Sequence, residues 1–133
     1  MAASPQFAAV PRSPQISVVN ADGTSLKTVF TMGANGGIVK AIWAVSNDTT
    51  ARWITLLKSD GTSDLHFATM RFSAVSANYP LRQVNFLDPT RLPWLDYYEP
   101  QMHLAPNHGF KVRMETAVTA GLTVAVYALY GEF

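Results

Sequence analysis

The residues that could carry chemistry are few, and their spacing does not converge. A catalytic zinc site draws on histidines four apart on a helix or two apart on a strand. His66, His103 and His108 offer neither, and Pro106, Asn107 and Gly109 place the last two at a strand end and a turn. Cysteine is absent, which removes thiolate metal ligands, disulfides and cysteine nucleophiles together. No serine lies in a G-x-S-x-G turn. Asp96 and Glu99 could be offered as the paired carboxylates of a glycoside hydrolase, but in a loop their ordinary state is solvated. Gly33-Ala34-Asn35-Gly36-Gly37 lacks the G-K-[ST] and the following helix of a phosphate loop and reads as a hairpin. Asp60 to Asp64 lacks the distal Glu of a calcium loop. Asn47-Asp48-Thr49 matches a glycosylation acceptor with no secretory signal beside it. The chain is therefore read as non-enzymatic, with no cofactor and no metal.

The one constellation with a binding character is Arg91, Trp94, Tyr97 and Tyr98, set among Pro89, Pro93 and Pro100. Aromatic and basic side chains interleaved can stack nucleic-acid bases, but Asp88, Asp96 and Glu99 neutralise this cluster. Trp, Tyr and Arg on a proline-stiffened loop are also the residue types that anchor protein interfaces, and that reading is preferred.

Such a loop needs a scaffold, and the sequence describes an all-β one. Two-residue alternation recurs, whereas no useful window shows the 3.6-residue period of a helix. Strands are expected at Gln15–Val19, Leu26–Thr31, Ile38–Ser46, Arg52–Lys58, His66–Val75, Phe110–Thr116 and Leu122–Tyr130. Turn residues separate them about every ten positions, the mark of a sandwich or barrel. Four hairpins are read from these turns: across Asn20–Thr24, across Gly33–Gly37, across Asp60–Asp64, and across Thr119-Ala120-Gly121. The last would put Phe110, Val112 and Met114 beside Leu122, Val124 and Val126 on facing positions. Its second strand is apolar on both faces, because Ala125, Tyr127 and Leu129 alternate with Val124, Val126 and Ala128, so both faces are expected to be covered. Asn47–Thr50 is a polar loop. The long stretch Leu87–Asn107 is too rich in proline for a helix or a central strand.

The 133 residues fit one domain, taken as residues 15–133 preceded by an extended arm, 1–14, whose prolines favour an open chain and whose Phe7 and Val10 are its only sizeable anchors. The arm is expected to be loosely held until it meets a partner. Ten basic and nine acidic residues, with no basic run, give nucleic acid no electrostatic footprint. No apolar stretch suits a membrane span. Only 14% of residues are charged while 48% are hydrophobic. Ordinary soluble domains carry about a quarter charged, so part of this surface is expected to be covered by protein.

Ala105-Pro106-Asn107-His108-Gly109-Phe110-Lys111-Val112-Arg113, running through Ala117-Val118-Thr119-Ala120-Gly121 to Tyr130-Gly131-Glu132-Phe133, resembles the ending of many small tailed-phage virion proteins. Val29-Phe30-Thr31 with Gly33 to Gly37, and Leu87-Asp88-Pro89-Thr90-Arg91-Leu92-Pro93, are similar to the same group. In length and block order the chain resembles the tailed-phage capsid cement, or decoration, proteins, such as that of the Bordetella tropism-switching phage. The resemblance implies a β-sandwich of jelly-roll type and a place on the outer surface of the virion capsid after synthesis in the host cytoplasm. It also implies major capsid protein as partner, self-association as a dimer or a trimer with the dimer favoured, and no catalytic residue. Contact residues are then expected at Phe7, Val10, Arg91, Trp94, Tyr97 and Tyr98. The alternative is a phage tail or receptor-binding module gripping a host glycan or surface protein with Trp94 to Tyr98.

Overall fold

The computed structural model describes residues 10–133, and these form two antiparallel sheets facing each other with no α-helix among them. In chain order the strands are β1 Val10–Arg12, β2 Gln15–Val19, β3 Lys27–Thr31, β4 Gly37–Ser46, β5 Arg52–Ser59, β6 Asp64–Phe72, β7 Arg82–Asn85, β8 Met102–Leu104, β9 Gly109–Met114 and β10 Thr123–Glu132. A 3₁₀ turn, Asn20–Asp22, joins β2 to β3.

One sheet runs β2-β10-β4-β7. It is extended at one end by β1 beside β10 and by β8 beside β4. The other runs β3-β9-β5-β6. Leaving aside the two short additions, eight strands pair in the order of a jelly roll, in which successive strands, β5 and β6 excepted, pass from sheet to sheet. The expected fold class is therefore what the chain adopts.

The core lies between the sheets and follows the alternation. Ile42, Ala44, Val124 and Val126 are wholly buried from one side, and Ile54, Leu56, Phe110, Val112 and Met114 from the other. Phe72 and Phe86 close it laterally.

Three of the four expected hairpins do not form. β9 and β10 are not paired: β9 lies between β3 and β5 while β10 lies between β2 and β4, so Val112 and Val124 belong to opposite sheets. The Thr119 to Gly121 turn exists, closed by the Leu122 N–H on the Thr119 carbonyl at 3.0 Å with Gly121 at φ 83°, but it carries the chain across the sandwich. Leu122 is only partly buried. The segment Asn20–Thr24 likewise passes from β2 in one sheet to β3 in the other, and Gly33–Gly37 carries the chain back from β3 to β4 in the first sheet. Local turn chemistry allows either outcome, and the two apolar faces of β10 mark a central strand rather than a hairpin arm. The remaining hairpin is correct, with Arg52↔Phe72 to Ser59↔Asp64 in register around Asp60–Ser63. Residues 10–12, expected within a loosely held arm, are paired with β10 from Val10↔Glu132 to Arg12↔Tyr130.

The Asn47–Thr50 loop is not simply solvated. Asp48 is fully buried and accepts hydrogen bonds from Thr50 N–H (2.8 Å), Arg52 Nε (2.9 Å), Thr119 N–H (3.0 Å) and Thr119 Oγ1 (2.7 Å). It therefore ties the β4–β5 connection to the β9–β10 connection. Burial alone would raise its pKa, but these donors prevail and lower it to about 2.

Candidate protein-contact surface

The aromatic loop lies between β7 and β8 and is shaped by its own polar residues. Asp88 Oδ1 accepts from Thr90 N–H at 3.0 Å and Thr90 Oγ1 at 2.8 Å, and the Asp88 carbonyl accepts from the Arg91 and Leu92 amides at 3.0 and 2.9 Å. Asp96 repeats the device, its Oδ1 accepting from the amides of Tyr98 (2.9 Å) and Glu99 (3.2 Å). These are side-chain-closed turns of the kind Asp favours. Apolar residues pin the loop from beneath, since Leu87 and Leu95 are buried and Leu92 packs on the core. With the small apolar residues turned inward, the large aromatic ones face out.

Trp94 is 57% exposed, Tyr97 69% and Tyr98 92%. Trp94 stands edge-on to Phe67, with ring centroids 5.9 Å apart, and Phe67 stands edge-on to buried Phe110 at 5.2 Å. It is thus the outer end of an aromatic ladder rooted in the core. Tyr97 and Tyr98 meet each other edge to face at 5.3 Å. Arg91 is separate from these rings, lining a shallow polar depression with Arg71, Gln83, Asn85 and Asp88. Tyr98, with Glu99, Pro100 and Gln101, borders a second depression whose other wall is Lys40 of β4. Lys40 also borders a third, with Pro11, Arg12, Leu129 and Tyr130. The structure thus brings Tyr98 and the β1 residues Pro11 and Arg12 each beside Lys40. Val10 is exposed, and Phe7 lies outside the described residues.

Sequence reasoning passed over other exposed apolar residues. Tyr79 and Leu81, before β7, are 58% and 60% exposed, and the Arg82 guanidinium sits 4.3 Å over the Tyr79 ring. Their signal was present in Tyr79-Pro80-Leu81, an aromatic beside a proline as in the loop above. Trp43 of β4 and Tyr127 of β10 stack at 5.3 Å and 15° on the outward face of their sheet.

The titratable residues take structural posts. His66 Nε2 meets Thr69 Oγ1 at 2.7 Å, His108 Nδ1 meets Lys58 Nζ at 2.8 Å, and His103 lies beside the Phe133 ring. Among the described residues no three His, Asp or Glu side chains gather as metal ligands would. Asp96 serves its turn rather than facing Glu99 across a groove. Asn47, of the glycosylation pattern, accepts from the Thr123 amide at 2.8 Å.

A solved phage capsid contains a similar chain. It belongs to the acidic stable capsid structure of the Helicobacter pylori bacteriophage KHP30, and the match has a TM-score of 0.61. It spans 94% of this chain and 90% of that one at 12% identity. At that identity the likeness is one of fold, the jelly roll matched over nearly its whole length. No family model and no curated protein matches the sequence.

Proposed function

We propose that the protein is a non-enzymatic structural component of a phage virion that binds the outer surface of the assembled capsid and cements neighbouring major capsid proteins. One observation carries the reading: a chain of a phage capsid structure shares this jelly roll across 94% of the present chain. The composition supports it. With 14% of residues charged, the surface is poor in the groups that keep an isolated domain in water. The exposed aromatic residues of the β7–β8 loop are suited to fill pockets on a neighbour, and the turns closed by Asp88 and Asp96 hold them in place before contact.

A subunit that binds the closed shell and not its dissociated parts stabilises the shell by mass action, and many copies act together. No bond need be made or broken. The test is to heat capsids lacking the protein with and without added purified chain. Decoration in stoichiometric amounts and a raised rupture temperature are expected, and the Trp94→Ala, Tyr98→Ala double variant should bind weakly while remaining folded. If wild-type protein leaves the capsids bare and their rupture temperature unchanged, the reading fails. If the double variant decorates as well as wild type, the role of Trp94 and Tyr98 fails and the function stands.

A further inference from the structure

Where the β5–β6 turn meets the segment leading into β9, a depression of about 340 Å³ opens at one end of the sandwich. Small-ligand sites span about 300–1,000 Å³, so this one suits one or two side chains rather than a long chain. Its polar wall is Lys58 of β5 with His108, and its apolar wall is Leu65 and Phe67 of β6. Phe67 is also the ring on which Trp94 stands, so the depression adjoins the aromatic ladder of the β7–β8 loop.

Lys58 carries a charge that nothing beside it answers. The partly buried Lys27, Arg52 and Lys111 each face a carboxylate, at 3.2, 2.9 and 3.1 Å, and partly buried Arg82 lies over the Tyr79 ring. Among the described residues no carboxylate pairs with Lys58, although it too is partly buried. Its Nζ meets His108 Nδ1 at 2.8 Å, which uses one of the three donors of an ammonium. Because an ammonium only donates, that ring nitrogen accepts, and the neutral ring keeps its hydrogen on Nε2 as a further donor. The His108 carbonyl takes the Met32 amide at 2.7 Å, so the backbone at this residue is fixed independently of Lys58. Asp60 lies on the same rim, but its Oδ1 is engaged by the Thr62 and Ser63 amides at 2.9 and 2.7 Å.

We infer that this depression takes a carboxylate carried on an apolar body, supplied by an acidic side chain with an apolar neighbour in a segment of another protein. A partly buried ammonium attracts a carboxylate more strongly than one in open water. Phosphate fits less well, since a single ammonium beside an aromatic wall offers neither a second fixed cation nor the planar fork of an arginine. Leu65, 71% exposed, and Phe67 instead favour an apolar body beside the charge. On the virion reading, on which the choice of partner rests, the segment belongs to the shell, and Trp94 and Lys58 hold adjacent parts of it.

The site is tested without capsids. Purified full chain is titrated with a blocked peptide, Gly-Phe-Glu-Gly acetylated and amidated, while the ring resonances of the three histidines are followed. His108 and His66, which both line the depression, should shift and saturate at about millimolar peptide. His103, beside the Phe133 ring, should not move. The peptide with Gln for Glu, and inorganic phosphate, should leave all three in place. Lys58→Met should weaken peptide binding at least about tenfold, and Lys58→Gln repeats the test if that variant fails to fold. Lys27→Met, the same loss of charge at the far end of β3, should bind as wild type does. A Glu peptide that leaves His108 unmoved, or binding unaltered in the folded Lys58 variants, overturns the inference. An equal response to phosphate overturns the carboxylate class, and binding of free hydrocinnamate with the peptide inert overturns the protein source. Capsid decoration by Lys58→Met should also be at least about tenfold weaker than by wild type. Equal decoration, with the peptide still requiring Lys58, excludes the shell as partner. Capsids left bare by wild-type protein count against the cement reading alone, and the peptide titration still decides the site.

Discussion

Asp48 shows how a residue that looks solvated in sequence becomes structural. Its neighbours Asn47, Thr49 and Thr50 are those of a surface loop, and its partner Thr119 stands 71 positions away, so nothing local reveals the tie. Because its folded pKa is lowered to about 2, the tie contributes fully above about pH 4, where the unfolded carboxyl is also ionised, and is lost as pH falls through 4 towards 2. Its worth in that window is about 2 kcal/mol. Asp60, held by the amides of Thr62 and Ser63, is likewise lowered to about 2 and shifts stability in the same direction. Urea midpoints between pH 2 and 7 should fall at the acid end for wild type and vary less steeply for Asp48→Asn. Asp48→Ala should cost about 3–5 kcal/mol at pH 7, since it strands the Arg52 guanidinium, only 14% exposed. The aromatic anchors obey the opposite rule. Tyr98→Ala should leave thermal stability unchanged to within about 0.5 kcal/mol, because the ring is 92% exposed, whereas Trp94→Ala should cost on the order of 1 kcal/mol through its lost edge contact with Phe67.

Strands were legible in the sequence to a greater degree than their partners. Alternation located seven of them within a few residues, because each buries one face and the period is local. Pairing was legible only at β5–β6, where Asp60 and Gly61 close a short turn between adjacent strands. β9 and β10 carry an equally good turn but are drawn into different sheets, a choice made by β2, β3, β4 and β5. The short β7 and β8 were not legible, since four- and three-residue segments in proline-rich surroundings owe their extension to β4 beside them. In the core, Val112→Ala and Val124→Ala should each cost about 1–3 kcal/mol in denaturant titrations, whichever sheet they serve. Gly109 makes a sharper demand. A Cβ placed there would stand 2.2 Å from the Phe30 carbonyl oxygen, backbone against backbone, so Gly109→Ala should force β3 away from β9 and lower the melting temperature by several degrees or more.

At the scale of the molecule, the fold class followed from patterning, and the contact surface only in part. The loop from Arg91 to Tyr98 advertised itself through composition, but the structure disperses its members: Trp94 goes to Phe67, Arg91 to a polar depression, and Tyr98 to the side of Lys40. The apolar outer face of β10 was visible as a second hydrophobic register. What shares that face, Trp43 above all, depended on knowing that β4 and not β9 lies alongside. Surface chemistry is therefore the property most dependent on topology here, because each face is assembled from several strands that are distant in sequence.

That position of β10 governs how the chain can reach its native state. The strand is the hub of its sheet, bonded to β2 on one side and β4 on the other, yet it is the last strand of the sequence. During synthesis β2 and β4 would expose unpaired edges and apolar inner faces until residues 123–132 arrive, so this sheet closes only after the rest of the chain is made. Refolding from denaturant should be slow for the chain length, in milliseconds to seconds, and cooperative. A chain ending at Gly121 should fail to form the native sandwich and should aggregate, although every strand of the β3-β9-β5-β6 sheet remains in it.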